Sequence, residues 1–424
     1  MAELELIHLG VMFAVLAIAG GLANRVGQSV IPFYLVAGIV MGEAVLGSVG
    51  TLSVDAVGMA ISGSELWLDP ESEFIHLGAE LGIVFLLFFL GLEFSMNRLI
   101  ESKERIGTAG TIDLLNFLPG MLIGYVVFGG LVEAILLGGI VYISSSAIIT
   151  KSLIDLGWIA NDESGAMLGT LVYEDLVIAL YLAVVSAIVL GAGGLAGATT
   201  DILLAIAVLF VLVVVVYFGT EFFQRFLAVD SVELTLLRAV AITVLVAGGA
   251  LALGVSEAVA AFFVGMGFSS TDHVHQIEEL LRPLRDVFAA VFFFWIGLLT
   301  DPFVFLDATV TGLILATVAL SGPTKFVTGY LAGRVYDLDE RRSFRVACGM
   351  TTRGEFSLII ASVATAASAE LWGDAITQTI PSIAVGYVLV MSILGTLAMQ
   401  YADRLWLLAE PILVDEGAAA GTAD

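Results

Sequence analysis

Apolar runs of about 20 residues recur along almost the whole chain with short polar breaks between them, the length an α-helix needs to cross a hydrocarbon core of roughly 30 Å. The pattern predicts thirteen spans, at residues 6–23, 30–47, 75–93, 106–128, 132–153, 164–190, 201–222, 234–253, 256–269, 286–299, 308–332, 345–367 and 381–402. Helices fit such runs better than a barrel, because a helix satisfies its own backbone N–H and C=O groups where lipid offers them nothing. Two junctions are tight: GGLVE parts the fourth span from the fifth, and LGVSE the eighth from the ninth.

Basic residues provide an independent check, since Lys and Arg gather on the cytoplasmic side of membrane proteins. With thirteen spans and an outside amino terminus, fourteen of the sixteen fall in or beside inner loops, from Arg25 and Lys151 to Arg341, Arg342, Arg345 and Arg404. The loop 48–74 instead carries Asp55, Glu65, Asp69, Glu71 and Glu73, as an external surface would. Merging the eighth and ninth spans would scramble this partition. The carboxyl terminus is therefore expected in the cytoplasm.

Composition agrees: 59% of the 424 residues are hydrophobic and 13% charged, far from a soluble domain. The first run follows MAELE, acidic where a secretory signal would be basic, so it counts as a span. The single cysteine, Cys348, excludes a disulfide within the chain and reads as a small buried residue. A net charge of −25 argues against nucleic-acid partners and suits very high salt.

The spans repeat. FFLGLEFS (88–95) in the third matches FWIGLLTD (294–301) in the tenth, and YLVAGIVMG in the second matches AFFVGMGFS in the ninth, Gly38 against Gly265. A displacement of seven spans reverses the sense of crossing. The expected fold is thus an all-α polytopic membrane protein of about 13 transmembrane helices in inverted repeats of six, one linking and six spans. Transporters of this build hold their substrate at the midplane, between helices that unwind partway across. Polar clusters at matching places predict two such discontinuous crossing helices: Ser144, Ser145 and Ser146 in the fifth span, and Thr351, Thr352, Arg353, Gly354 and Glu355 in the twelfth. Gly354 weakens a helix there, and hydroxyls can bond the backbone groups an interruption frees.

Glu174 and Asp175 lie eleven and twelve residues beyond Glu163, the preceding charge, which is roughly 17 Å into the membrane. Unpaired ionised carboxylates are costly at that depth, and two neighbours there cannot both ionise cheaply, which suits them to carry protons. Deprotonated, with hydroxyls and carbonyls nearby, they offer a small hard cation the oxygen ligands it favours. Lys325, also inside a span, is expected either to snorkel to the interface or to form an ion pair with Glu174 that a proton or cation breaks. Arg353 and Glu355 are expected to pair with each other or to compensate the ends of the broken helices. Asp113 and Asn116 in the fourth span rank second, as polar packing or cavity lining. His273 and His275, in STDHVHQ, are expected in an inner loop.

EDLVIALYLAV, SSSAIITKSL, EAVAAFFVGMGFSS followed by LRPLRDVFAAVFFFWIGLLTD, and TTRGEFSLII together resemble the Kef-type branch of the monovalent cation:proton antiporters, over most of residues 1–405. The resemblance implies an elevator-type antiporter homodimer that exchanges K⁺ or Na⁺ for H⁺ in the cell membrane. Scaffold spans would lie within 6–93 and 234–299, core spans within 106–190 and 308–402, and 201–222 would link the copies. Asp175 takes the place of the family's ion- and proton-carrying aspartate. Glu174 departs from the glutamine typical of Kef potassium exporters and approaches the paired acids of electrogenic sodium/proton antiporters. Residues 406–424 read as a short acidic cytoplasmic tail in place of a nucleotide-binding regulatory domain, so regulation would call for a separate cytoplasmic subunit. No cofactor is expected beyond the transported ions. A sodium-coupled symporter of an organic anion is the alternative on the same fold. No ring of filter carbonyls suggests a channel, and no zinc motif or nucleophile elbow suggests an enzyme.

Overall fold

The computed structural model describes residues 2–48, 52–54, 59–61, 67–93, 103–158, 160–190, 207, 211, 224, 231–252, 257–269 and 271–410. The expected linking span 201–222, apart from two positions, and the end of the acidic tail lie outside the described residues. In chain order the helices are α1 (Ala2–Val26), α2 (Val30–Met41), α3 (Glu73–Glu93), α4 (Lys103–Asp113), α5 (Phe117–Phe128), α6 (Leu131–Tyr142), α7 (Ser146–Asp155) and α8 (Asp162–Val189). They continue with α9 (Val232–Ala252), α10 (Glu257–Ser269), α11 (Val274–Leu298), α12 (Ala308–Val335), α13 (Glu340–Met350), α14 (Glu355–Thr365), α15 (Ala369–Asp374) and α16 (Ile380–Gln400). Among the described residues nine helical stretches are long and apolar enough to cross a membrane, and α10 is a shorter apolar helix.

The first tight junction holds. Gly129 closes α5 in the left-handed conformation at φ 76°, Gly130 precedes α6, and two glycines suffice to reverse the chain. α9 ends at Ala252 and α10 begins at Glu257, and the residues of the second junction, 253–256, lie outside the described residues.

Other expectations need amendment. The all-α expectation stands for the membrane-spanning elements among the described residues, with one addition in the long loop, where Leu52–Val54 (β1) pairs antiparallel with Met59–Ile61 (β2). The fourth span breaks between α4 and α5 into a 3₁₀ turn at Leu114–Asn116. Pro119 explains it, since proline supplies no N–H to the carbonyl of Leu115 and crowds it. α11 begins twelve residues before the expected span, taking in His275, with His273 at its N-cap. That first stretch is amphipathic: Ile277 and Leu281 are buried four residues apart, while Glu278 and Arg282 pair on the outer face at i,i+4. A search for uninterrupted apolar runs passes over such a helix. Residues 402–410 are helical with Trp406 buried, so the first five residues of the expected tail, 406–410, belong to a helix.

The chain divides into two compact units. One comprises Met1–Glu101, Asp175–Ile314 and Leu358–Gly386. Within it α3 packs on α10 and α11, and α11 on α2. Two glycine pairs set these approaches: a Cβ added at Gly38 would lie 2.9 Å from the Cα of Gly297, and one at Gly91 would lie 2.9 Å from the Cα of Gly265. Backbones this close are what small residues allow between membrane helices, where dispersion contacts replace the hydrophobic drive.

The other unit comprises Ser102–Glu174, Leu315–Ser357 and Tyr387–Asp424. Ile149, Leu153, Met167, Val346, Met350 and Met399 form one of its cores, joining α7, α8, α13 and α16. At one end Arg345, stacked over Trp158 at 4.8 Å, bonds both Glu163 (2.8 Å) and Asp403 (2.9 Å).

Candidate functional site

The fifth span unwinds after Tyr142, runs extended through Ile143 and Ser145, and resumes as α7. The twelfth stops at Met350, leaves Thr352, Arg353 and Gly354 outside any helix, and resumes as α14 at Glu355. Both breaks fall on the polar clusters that marked them in the sequence. They also meet: the Ser145 backbone N–H donates to the Thr352 carbonyl at 3.3 Å.

Each break exposes helix ends, and the charged residues answer them by sign. The Glu355 carboxylate sits on the N-terminus of α7, accepting from Ser145 Oγ (2.6 Å), Ser146 Oγ (2.9 Å) and the Ala147 N–H (3.1 Å). That is the end of a helix where an anion is stabilised. Ser145 also N-caps the helix, its Oγ accepting from the Ile148 N–H. The fully buried Arg353 donates to carbonyls at the C-terminal ends of α6 and α13: Nε to Val141 O at 3.0 Å, and Nη1 to Met350 O at 3.0 Å and Thr352 O at 2.8 Å. Of the two expectations for this pair, compensation of helix ends is the one observed. Thr351 bonds locally to the Cys348 carbonyl and takes no part.

Next to the breaks lies a saturated ammonium. Lys325, on α12 and 0% exposed, directs Nζ at Asp113 Oδ2 (2.6 Å), Glu174 Oε1 (2.8 Å) and the Tyr142 carbonyl (3.0 Å). A lysine has three N–H donors, and all three are engaged. It does not snorkel. Glu174 is held from the other side by the fifth span, with Oε2 2.6 Å from the Ser144 N–H and Oε1 3.0 Å from Ser144 Oγ. Phe117 stacks on Tyr142 with ring centroids 4.4 Å apart, closing one flank with aromatic surface.

The arrangement promotes Asp113 and Asn116 from second rank. Asp113 shares the lysine with Glu174, while Asn116 Nδ2 (3.0 Å) and Thr328 Oγ1 (3.1 Å) hold its other oxygen. The sequence alone carried one signal for this, an Asp and an Asn three apart in an apolar span. Asp175 follows Glu174 at the middle of the 28-residue α8 and is 7% exposed. Consecutive helical residues point about 100° apart, so the two acids face different directions from one turn.

Chemically this is one ammonium between two carboxylates. A group that neutralises Glu174, whether proton or cation, removes one of the two anions that hold Lys325. Buried charges in poor solvent make such exchanges sensitive to occupancy.

Comparison with known proteins points the same way. A family model described as sodium/hydrogen exchanger, transmembrane, matches residues 11–400. The chain is 34% identical over 407 residues to the K(+)/H(+) antiporter subunit KhtU of Bacillus subtilis, covering 96% of this chain and 95% of that protein. It is 30% identical to the ammonium/H(+) antiporter subunit AmhT of Alkalihalophilus pseudofirmus (82% and 85% covered), and 28% identical to the Na(+)/H(+)-K(+) antiporter GerN of Bacillus cereus (81% and 84%). Its fold matches the sodium proton antiporter MjNhaP1 of Methanocaldococcus jannaschii with a TM-score of 0.67 at 14% identity, over 95% of this chain and 99% of that one.

Proposed function

The chain belongs to the sodium/hydrogen exchanger transmembrane family, and from that premise we propose that it exchanges K⁺ or Na⁺ for protons at Glu174 and Asp175, with Lys325 as the built-in cation that the incoming ion displaces. It is a cation/proton antiporter of the cell membrane with many crossings. The observation that carries the site assignment is the buried ammonium lodged between Glu174 and the end of α6, 2.8 Å from the carboxylate. A carboxylate so placed exchanges one positive partner for another, and a proton or an alkali ion serves equally. Asp175, next on the helix, supplies the second acid of the carrier pair. Ser144, bonded to Glu174 through backbone and side chain, orients it. Glu355 and Arg353 keep the two interruptions open at low cost.

In our reading the nine helical stretches, the shorter α10, the proline-containing α11 and the broken pair α13–α14 supply twelve of thirteen crossings, and the thirteenth, 201–222, rests on its apolar sequence alone. The inverted repeat gains support from the glycine contacts. Spans two and nine correspond, as do three and ten, so Gly38 against Gly297 and Gly265 against Gly91 are one contact made twice. In our reading the core spans carry the site across by an elevator-type movement against scaffold spans that dimerise. KhtU and AmhT are each named a subunit, which supports a separate regulatory partner. The symport alternative finds no support among these relatives, all named antiporters.

Dye-reported proton flux in proteoliposomes, pulsed in turn with K⁺, Na⁺ and Li⁺ with and without an imposed voltage, tests this. We expect cation-dependent proton movement that Asp175→Asn abolishes. Cation-dependent flux retained in that variant would refute the assignment.

A further inference from the structure

Asp113 is fully buried on α4, and the exchange at Glu174 and Asp175 leaves it without a task. Its surroundings are built around it. Oδ2 is 2.6 Å from Lys325 Nζ, while Oδ1 is fixed by Asn116 Nδ2 at 3.0 Å and Thr328 Oγ1 at 3.1 Å. Asn116 in turn donates to Thr328 Oγ1 at 2.8 Å and to the Asp113 carbonyl at 2.8 Å. Only the oxygen facing the lysine is left for charge pairing. The groups facing Lys325 are Asp113 from α4, Glu174 from α8, and the carbonyl and ring of Tyr142 from the end of α6.

When a cation occupies Glu174, the ammonium must leave that carboxylate. Without a second anion it would stand unpaired in the membrane interior, the most unfavourable outcome for a buried charge. We propose that Asp113 is the standing counter-ion of Lys325, a positioning residue that keeps the ammonium whenever Glu174 gives it up to the transported cation. The inference rests on the reading of Glu174 and Asp175 as the exchange site. It has two consequences. Asp113 and Lys325 form a neutral pair in both halves of the cycle, so the charge that moves is set by Glu174 and Asp175. Cation affinity is also set partly from the far side of the lysine, by a residue that never touches the ion.

The experiment is a double-mutant cycle on the full chain in proteoliposomes, with K⁺ and Na⁺ as the probes. Asp113→Asn should raise the cation concentration for half-maximal exchange by about tenfold or more, since displacing the lysine now strands it. Asp113→Glu should restore most of the affinity. In a Lys325→Gln background, where no ammonium needs a home, Asp113→Asn should change cation affinity less than about twofold. Where exchange by Lys325→Gln is too slow to follow, cation-dependent thermal stabilisation of the purified variants in detergent reports the same affinities. An unchanged cation requirement in Asp113→Asn, or an equal loss in both backgrounds, overturns the proposal; the second result would mark Asp113 as a brace between α4 and α12. Asp175→Asn separates the two levels: with that variant inactive, a failed cycle sinks only the role of Asp113, whereas exchange retained in it sinks the site itself.

Discussion

Glu355→Gln isolates the charge that holds the first interruption open. The glutamine oxygen can keep Ser146 Oγ and the Ala147 N–H, now 2.9 and 3.1 Å from Oε1, while its amide faces Ser145 Oγ, which can turn to accept. The three contacts survive as neutral ones. Charge-assisted hydrogen bonds are about twice as strong as neutral ones, so roughly 1 kcal/mol is lost at each, and about 1–2 kcal/mol more from the helix terminus. Removing a buried charge returns part of its desolvation cost. A net loss of about 2 kcal/mol is expected, concentrated in the first turn of α7. Amide hydrogen exchange reads it directly: protection at Ala147 and Ile148 should fall by roughly 30-fold. Amides at the end of α6, whose carbonyls answer to Arg353 and Lys325, should hold to within about threefold. Unchanged protection in α7, or an equal loss at both ends of the break, would show that the carboxylate does not set the stability of this turn.

Gly265→Ala should lower thermal stability in detergent by about 1–3 kcal/mol through overpacking, since the added Cβ would lie 3.0 Å from the Cα of Gly91; Gly248→Ala, with open space around it, should be neutral. Ser144→Ala removes one of two bonds to Glu174 while keeping the backbone N–H, and should shift half-maximal cation concentration by a few fold at about 1 kcal/mol, with folding intact by the same thermal assay. At Asp403 partial burial pushes the carboxyl up, but hydrogen bonds and charge from Arg345 and Arg341 outweigh it and hold the group below the usual carboxylate range. A depressed folded value means stability present above the ordinary carboxylate pKa and lost as pH falls through the depressed one. Asp403→Asn should therefore cost stability at neutral pH, under about 1 kcal/mol because the group is half exposed, and nothing in strong acid, as thermal scans against pH would register.

Much of the site was legible because lipid makes charge conspicuous. Glu174, Asp175, Lys325, Arg353 and Glu355 stood out against apolar neighbours, and the matching polar clusters marked both interruptions before any geometry. What one-dimensional reading could not supply was pairing across distance. Asp113 and Lys325 lie 212 residues apart, and nothing in the local pattern joins them. The choice between mutual pairing of Arg353 with Glu355 and compensation of helix ends likewise turned on where α6 stops, which is a matter of carbonyl positions. The amphipathic start of α11 was hidden for the opposite reason, since Glu278, Arg282 and Arg285 break the apolar run while Ile277 and Leu281 keep its buried face.

If protons and the alkali cation share Glu174 and Asp175, each must raise the apparent dissociation constant of the other. The most direct measurement is the half-maximal cation concentration for exchange, taken for K⁺ and Na⁺ across a series of pH values in proteoliposomes. Competition predicts a value that climbs toward about tenfold per pH unit on the acid side while the maximal rate at saturating cation stays constant. A half-maximal concentration independent of pH, with protons lowering only the maximal rate, would place the two ions on separate sites and contradict the exchange.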